Sequence, residues 1–229
     1  MNHRWFITGT DTEAGKTVAT TALLQAAATQ GWRAAGYKPV ASGSEMTPQG
    51  LRNSDGLLLQ QNSLPGLDYH EVNPLVFAEA TSPHIVSAAQ RQPISAQAMS
   101  AGLRHLETKA DWIGVEGAGG WFTPLADDFL FSDWVVAEQL PVVLVVGMKL
   151  GCINHALLSA AAIRAAGLTL SGWIANCVQP PQERHQPYME TLIQRLPAPL
   201  LGEIPQLTSR QQLSCCGQYV DLPAAVSSR

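Results

Sequence analysis

Gly9-Thr10-Asp11-Thr12-Glu13-Ala14-Gly15-Lys16-Thr17 decides how this 229-residue chain reads. Before it stands Trp5-Phe6-Ile7-Thr8, a short apolar run that reads as a buried strand. After it comes Val18 to Gln30, an Ala- and Leu-rich helix stopped by Gly31. A strand, a glycine-bounded loop and a helix N-terminus together make a phosphate cradle. Backbone N–H groups converge, the helix end adds positive potential, and Lys16 reaches terminal phosphates. Thr17 offers its hydroxyl to Mg²⁺. Five residues separate Gly9 from Gly15, where the usual pattern has four, and Thr10 stands at the usual first-glycine position.

Outward from the loop, strand and helix signals alternate. Arg33 to Val40 reads as a strand whose pairing ends at Lys38-Pro39, and Ser54 to Gln61 as a helix with Asp55 in its first turn. Asn62 to Pro93 has no clear period and reads as irregular with short helical pieces. Ser95 to Lys109 is the next helix. Asp111 to Glu116 is a strand running into Gly117-Ala118-Gly119-Gly120. Pro141 to Gly147 is a β-branched run without alternation, as expected of a strand covered on both faces. Asn154 to Ala166 is a helix, Leu170 to Asn176 a strand, Glu183 to Leu196 a helix, and Leu200 to Ile204 a last strand. This order predicts an α/β fold, a mostly parallel β-sheet flanked by helices with right-handed crossovers. We expect one domain over residues 1–229, with a weakly patterned tail from Thr208.

Composition narrows the function. Hydrophobic residues make up 46% and charged residues 14%, which excludes a disordered chain. The net charge of −4 argues against sequence-independent nucleic-acid binding, which needs a basic footprint. The start, Met1 to Ile7, enters a strand and then glycine, so no signal peptide is expected, and no apolar run is long enough to span a membrane. Cys152, Cys177, Cys215 and Cys216 are too few and too irregular for a disulfide framework. Adjacent thiols such as Cys215-Cys216 chelate one ion poorly, so reduced thiols in a cytoplasmic protein are the expectation, with no metal held by cysteine.

A nucleotide loop calls for an acidic partner at the end of another strand. Glu116 closes one just before a glycine cluster, and Asp55 is the second metal candidate, although a helix-start carboxylate is also favoured by the helix dipole. Lys38, at the C-terminal end of a strand, could stabilise a migrating phosphoryl group. Lys149 precedes a helix N-terminus that suits an anion. His84 and His155 are isolated and read as structural.

The loop, the Gly36–Ser44 segment, Val115-Glu116-Gly117-Ala118-Gly119-Gly120, and Lys149-Leu150-Gly151-Cys152-Ile153-Asn154-His155 together resemble dethiobiotin synthetase in order and spacing. The likeness runs from the first strand to about Leu207. It implies a P-loop NTPase-like fold and a ligase of biotin biosynthesis forming C–N bonds in a cyclic urea. The substrates would be ATP, CO₂ and 7,8-diaminononanoate (7,8-diaminopelargonic acid). One amine takes up CO₂ as a carbamate, ATP phosphorylates it to a mixed anhydride, and the second amine closes the ring and expels phosphate.

The same resemblance assigns residues. Lys16 and Lys38 are the catalytic pair, and Thr17, Asp55 and Glu116 hold Mg²⁺. Glu13, Ala14, Gly15 and Val18 join Lys16 and Thr17 around ATP, as do Gly117, Ala118 and Gly119 beside Glu116. Asn176 would read the adenine edge, with Cys177, Pro205, Gln206 and Leu207 beside it and Gln212 as a further nucleotide contact. Thr12 and Ser42 face the diamine or carbamate, and Leu150, Gly151, Asn154 and Tyr188 match the positions that bind its carboxylate tail near a homodimer interface. An Ala- and Leu-rich helix, Ala156 to Ala166, has small side chains that would allow close packing against a symmetry mate, with Ala160 a position to test if it faces the partner.

Three rivals are weaker. A partitioning-type ATPase carries an extra lysine early in the loop, where Asp11 stands here. An amidotransferase-linked corrinoid synthetase carries a glutaminase domain for which 229 residues leave no room. A nucleotide-binding interaction module would leave Lys38, Ser42 and Asp55 without a shared purpose.

Overall fold

The structure, a computed structural model, describes residues 3–181 and 183–224. Met1 and Asn2, which open the first run of the sequence, and the last residues of the tail lie outside the described residues. Among the described residues the main sheet has six strands: β1 (His3–Gly9), β2 (Ala34–Tyr37), β3 (Trp112–Glu116), β4 (Val142–Gly147), β5 (Leu170–Asn176) and β6 (Leu200–Ile204). Their order is β6-β5-β4-β1-β3-β2 and every pairing is parallel. Every residue of β4 is buried, as its unbroken apolar run requires.

Helices connect the strands: α1 (Lys16–Thr29), α2 (Ser54–Gln61), α3 (Tyr69–Val72), α4 (Pro83–Gln90), α5 (Ala96–Glu107), α6 (Phe131–Ala137), α7 (Cys152–Ala165), α8 (His185–Arg195) and α9 (Arg210–Leu213). None is long and apolar enough to cross a membrane. Parallel pairing aligns the C-terminal ends of β1, β3, β4 and β5 on one edge. The loops leaving that edge carry Gly9–Gly15, Gly117–Gly120 and Met148–Gly151.

Three expectations need revision. The strand expected over Arg33–Val40 is two elements. β2 stops at Tyr37, and Val40–Ala41 pairs instead with Leu75–Val76 in a separate ladder, because Pro39 offers no N–H to continue β2. α6 lies in a stretch with no element assigned from sequence. Its 7 residues are too few for a period, but Phe131, Trp134 and Val135 are buried, with Phe131 5.2 Å from Phe6. The tail is not patternless either, since α9 is followed by a 3₁₀ turn over Cys216–Tyr219 that packs on α1.

Gln25 of α1 fixes that tail from both of its amide atoms. Nε2 donates to Leu213 O at 2.9 Å, and Oε1 accepts the Gly217 N–H at 2.9 Å. Cys216 between them is fully buried. Gln25→Ala leaves those backbone groups unpaired, at about 1–3 kcal/mol. Each kcal/mol lowers Tm by roughly 2–4 °C in a chain of this size. Calorimetry of the variant should find that drop with secondary structure retained; an unchanged Tm would mean the tail adds nothing to stability.

Candidate active site

The phosphate loop leaves β1 at Gly9, where Thr10 N–H donates to Val145 O of β4 at 3.0 Å. It enters α1 through Gly15, whose φ of 82° is left-handed. A Cβ there would come within 1.9 Å of Asn176 Nδ2. Asn176, at the end of β5, uses that nitrogen to donate to Ala14 O at 3.0 Å, so the neighbouring strand ties the loop down. Lys16 is folded into the loop. Its ammonium donates to Gly119 O at 2.6 Å, Asp11 O at 3.0 Å and Thr12 O at 3.5 Å. Burial, then repulsion from Lys38, lowers its pKa to about 8, with Glu116, Asp55 and Asp11 pulling the other way.

Glu116 lies wholly buried at the end of β3. Its Oε1 accepts from Lys38 Nζ at 2.5 Å and from Thr17 Oγ1 at 2.9 Å. Lys38 also meets Asp55 Oδ2 at 3.2 Å. Burial alone would lower the Lys38 pKa, but the charges and hydrogen bonds of Glu116 and Asp55 raise it, so this ammonium stays protonated. The other Glu116 oxygen, Oε2, is buried with no hydrogen-bond partner among the described residues. A buried carboxylate oxygen without a donor is unusual, and it fits a divalent cation in reach of Thr17 and Asp55.

Beside this cluster opens a cleft of about 700 Å³, lined by Thr10, Thr12, Ser42, Thr81, Gly119 and Phe122 among others. Lys149 reaches the loop from the far side, 2.7 Å from Asp11 Oδ2. The expected carboxylate-tail residues are elsewhere. Leu150 and Tyr188 line a separate cavity of about 30 Å³ together with Cys177 and His185. Within one chain the structure therefore brings Thr12 and Ser42 together but does not join Leu150 and Tyr188 to them. Asn154 is exposed on the first turn of α7. Cys177 N–H donates to Ile204 O at 2.9 Å, which seats it next to Pro205. Gln212 caps α9, its Oε1 accepting from the Thr208 and Ser209 N–H groups.

A family model described as an AAA domain matches residues 3–212. The chain is 64% identical over 222 residues to ATP-dependent dethiobiotin synthetase BioD 1 of Escherichia coli K12, covering 97% of this chain and 99% of that one. It is 63% identical over 228 residues to the BioD protein of Pseudescherichia vulneris, covering 100% of this chain and 95% of the relative. The chain belongs to the dethiobiotin synthetase family. Solved structures share its fold at low identity. The MinD protein of Pyrococcus horikoshii, complexed with Mg-ADP, aligns with a TM-score of 0.54 at 17% identity over 97% of this chain and 87% of that one. A ParA family ATPase from Chlorobium tepidum aligns with a TM-score of 0.53 at 13% identity over 95% and 90%.

Lys38 and Asp55 are held in place by residues outside those expected from the sequence. Asn53 caps α2, its Oδ1 accepting from Asp55 N–H at 3.1 Å, while its own N–H donates to the Tyr69 hydroxyl at 2.7 Å. That hydroxyl donates to Asn73 Oδ1 at 2.8 Å, and Asn73 Nδ2 donates to Lys38 O at 2.6 Å. One buried relay thus positions both residues. An Asn just before a helix start is a readable cap signal, whereas nothing local marks Tyr69 or Asn73.

With Lys16 as a phosphate contact, anion binding should depend on pH. Its folded pKa of about 8 means that the free protein loses the Lys16 proton as pH rises through that value. Lys38, shifted upward, keeps its charge. Affinity for a nucleoside triphosphate should be level near pH 7.5 and fall about tenfold per unit above 8. Calorimetric titrations between pH 7.5 and 9.5 check this, and a level affinity to pH 9.5 would show that Lys16 is still protonated there.

Proposed function

We propose that this chain catalyses the ATP-dependent carboxylation and ring closure of 7,8-diaminononanoate with CO₂ to dethiobiotin, releasing ADP and phosphate. The observation that carries the reading is the pair of buried ammonium groups beside the cleft that Thr12 and Ser42 line, Lys16 held by the Gly119 carbonyl and Lys38 held by Glu116. Phosphoryl transfer is catalysed chiefly by positioning and charge neutralisation. Lys16 turns from its loop carbonyls to the terminal phosphates of ATP. Lys38, held charged by its two carboxylates, faces the carbamate oxygen that receives the phosphoryl group and neutralises the mixed anhydride. Thr12 and Ser42 position the diamine so that its second amine attacks the carbonyl carbon as phosphate leaves.

Thr17, Asp55 and Glu116 would hold Mg²⁺, with the unpartnered Glu116 Oε2 as the oxygen left for it. When bound, Mg²⁺ supplies neutralisation of the phosphate oxygens. Glu13, Ala14, Gly15 and Val18 surround the nucleotide phosphates, with Gly117, Ala118 and Gly119 opposite. Asn176, whose nitrogen is occupied by Ala14, offers its amide oxygen to adenine. Cys177, Pro205, Gln206, Leu207 and Gln212 complete that side.

The active unit is a homodimer in this reading. One chain divides the diamine residues between two cavities, which is what a site completed by a second copy requires. Leu150, Gly151, Asn154 and Tyr188 would then receive the carboxylate tail from the partner's cleft, the α7 N-terminus favouring the anion. Ala160, the position to test if it faced the partner, is 2% exposed and packs inside its own chain, so it does not meet that condition. Leu158, 61% exposed on the same helix, is the residue to test.

Two experiments follow. Purified protein with ATP, Mg²⁺, bicarbonate and the diamine should yield a cyclic urea by mass spectrometry, and correctly folded Lys38→Ala should lose ~10²–10³ in turnover. Phosphate release indifferent to the diamine would instead indicate a switch ATPase. In the second, Leu158→Arg should reduce dimer content by sedimentation and diamine affinity together, while ATP binding persists. A stable monomer with full turnover would overturn the shared site.

A further inference from the structure

The geometry points to a zinc site formed by Cys177, His185 and Glu203, apart from the Thr17–Asp55–Glu116 cluster. The three residues come from just past the end of β5, the first turn of α8 and the penultimate position of β6. Their donor atoms all lie within 4.8 Å of one another. Cys177 Sγ donates to Glu203 Oε1 at 3.7 Å, and the His185 Nε2–H donates to the same oxygen at 2.7 Å. Tetrahedral zinc with ordinary bond lengths sets sulfur and carboxylate oxygen about 3.6 Å apart, and imidazole nitrogen and oxygen about 3.3 Å apart. The sulfur is thus in place, and the imidazole needs to withdraw by only about 0.6 Å.

Three further observations support an ion here. Cys177 and His185 both line the small cavity beside the α7 N-terminus, and its volume of about 30 Å³ exceeds what a water needs as fourth ligand. Lys149, which also lines it, is already paired with Asp11 at 2.7 Å, and Arg184 is exposed to solvent. The donor set of one thiol, one imidazole and one carboxylate suits zinc and not Mg²⁺, which takes oxygen ligands. On binding, zinc gains a bond to sulfur and the thiol proton passes to solvent. The imidazole coordinates through Nε2 with its proton held at Nδ1. No short cysteine–histidine motif announces the site, since Glu203 stands 26 residues from Cys177 and 18 from His185. An ion there links the ends of two strands to a helix beside the residues assigned to adenine and the diamine tail.

The test is a titration of the full chain with Zn²⁺ in excess Mg²⁺, by calorimetry and thermal unfolding, with Co²⁺ as the optical probe. Expected are one equivalent of Zn²⁺ bound, a rise in Tm, and thiolate-to-cobalt charge-transfer absorption. Cys177→Ser should abolish the absorption. His185→Ala, at a partly exposed position on the first turn of α8, should weaken Zn²⁺ binding at least tenfold, the equivalent of about 1.4 kcal/mol. Cys215→Ser, an exposed thiol elsewhere, should change nothing. No binding below millimolar Zn²⁺, or binding that survives both Cys177→Ser and His185→Ala, would overturn the site.

Discussion

Everything near the phosphate loop is organised around one buried carboxylate. Glu116 is sealed from solvent at the end of β3, and a lone charge in that position would cost several kcal/mol. Two donors make it tolerable, the Lys38 ammonium and the Thr17 hydroxyl, and they come from different elements. The loop, α1 and the segment after β2 are therefore drawn together by the need to satisfy a single group. Removing any partner leaves charge stranded in the core. The arrangement also keeps an ammonium charged at a depth where burial alone would strip its proton.

A second consequence is the difference between the two lysines. Lys38 faces two carboxylates and is pushed up, whereas Lys16 is pushed down by burial and by repulsion from Lys38. Both are nearly out of reach of water, yet one is a fixed charge and the other gives up its proton at about pH 8. The asymmetry follows from which strand ends surround each amine. In a parallel sheet those ends gather on one edge, so groups distant in sequence set each other's protonation.

Much of this was legible in the chain. The nine-residue loop, the β4 run and the glycines after Glu116 carry local signals, and strand β4 lies where its run puts it, while α1 starts at Lys16 inside the loop signature, ahead of the Val18 expected. The relatives uphold the resemblance that the four linked segments support. What stayed hidden was hidden for physical reasons. α6 is shorter than two periods, and the tail is held by Gln25 and a buried Cys216, contacts no local pattern encodes. The Tyr69–Asn73 relay and the Cys177–His185–Glu203 cluster are meetings of separate elements, visible only when the sheet is assembled. Which way Ala160 faces was not readable, because small residues on a helix serve an internal contact as readily as an external one.

The strand order carries a cost at synthesis. β1 is the first strand to leave the ribosome, yet it pairs with β3 and β4, whose residues begin at Trp112 and Val142. Until then its apolar edges have no native partner, and the phosphate loop has neither the β4 carbonyl nor the β5 asparagine that anchor it. Such a topology gives a high contact order, hence slow folding and a long interval in which a nascent chain can associate wrongly.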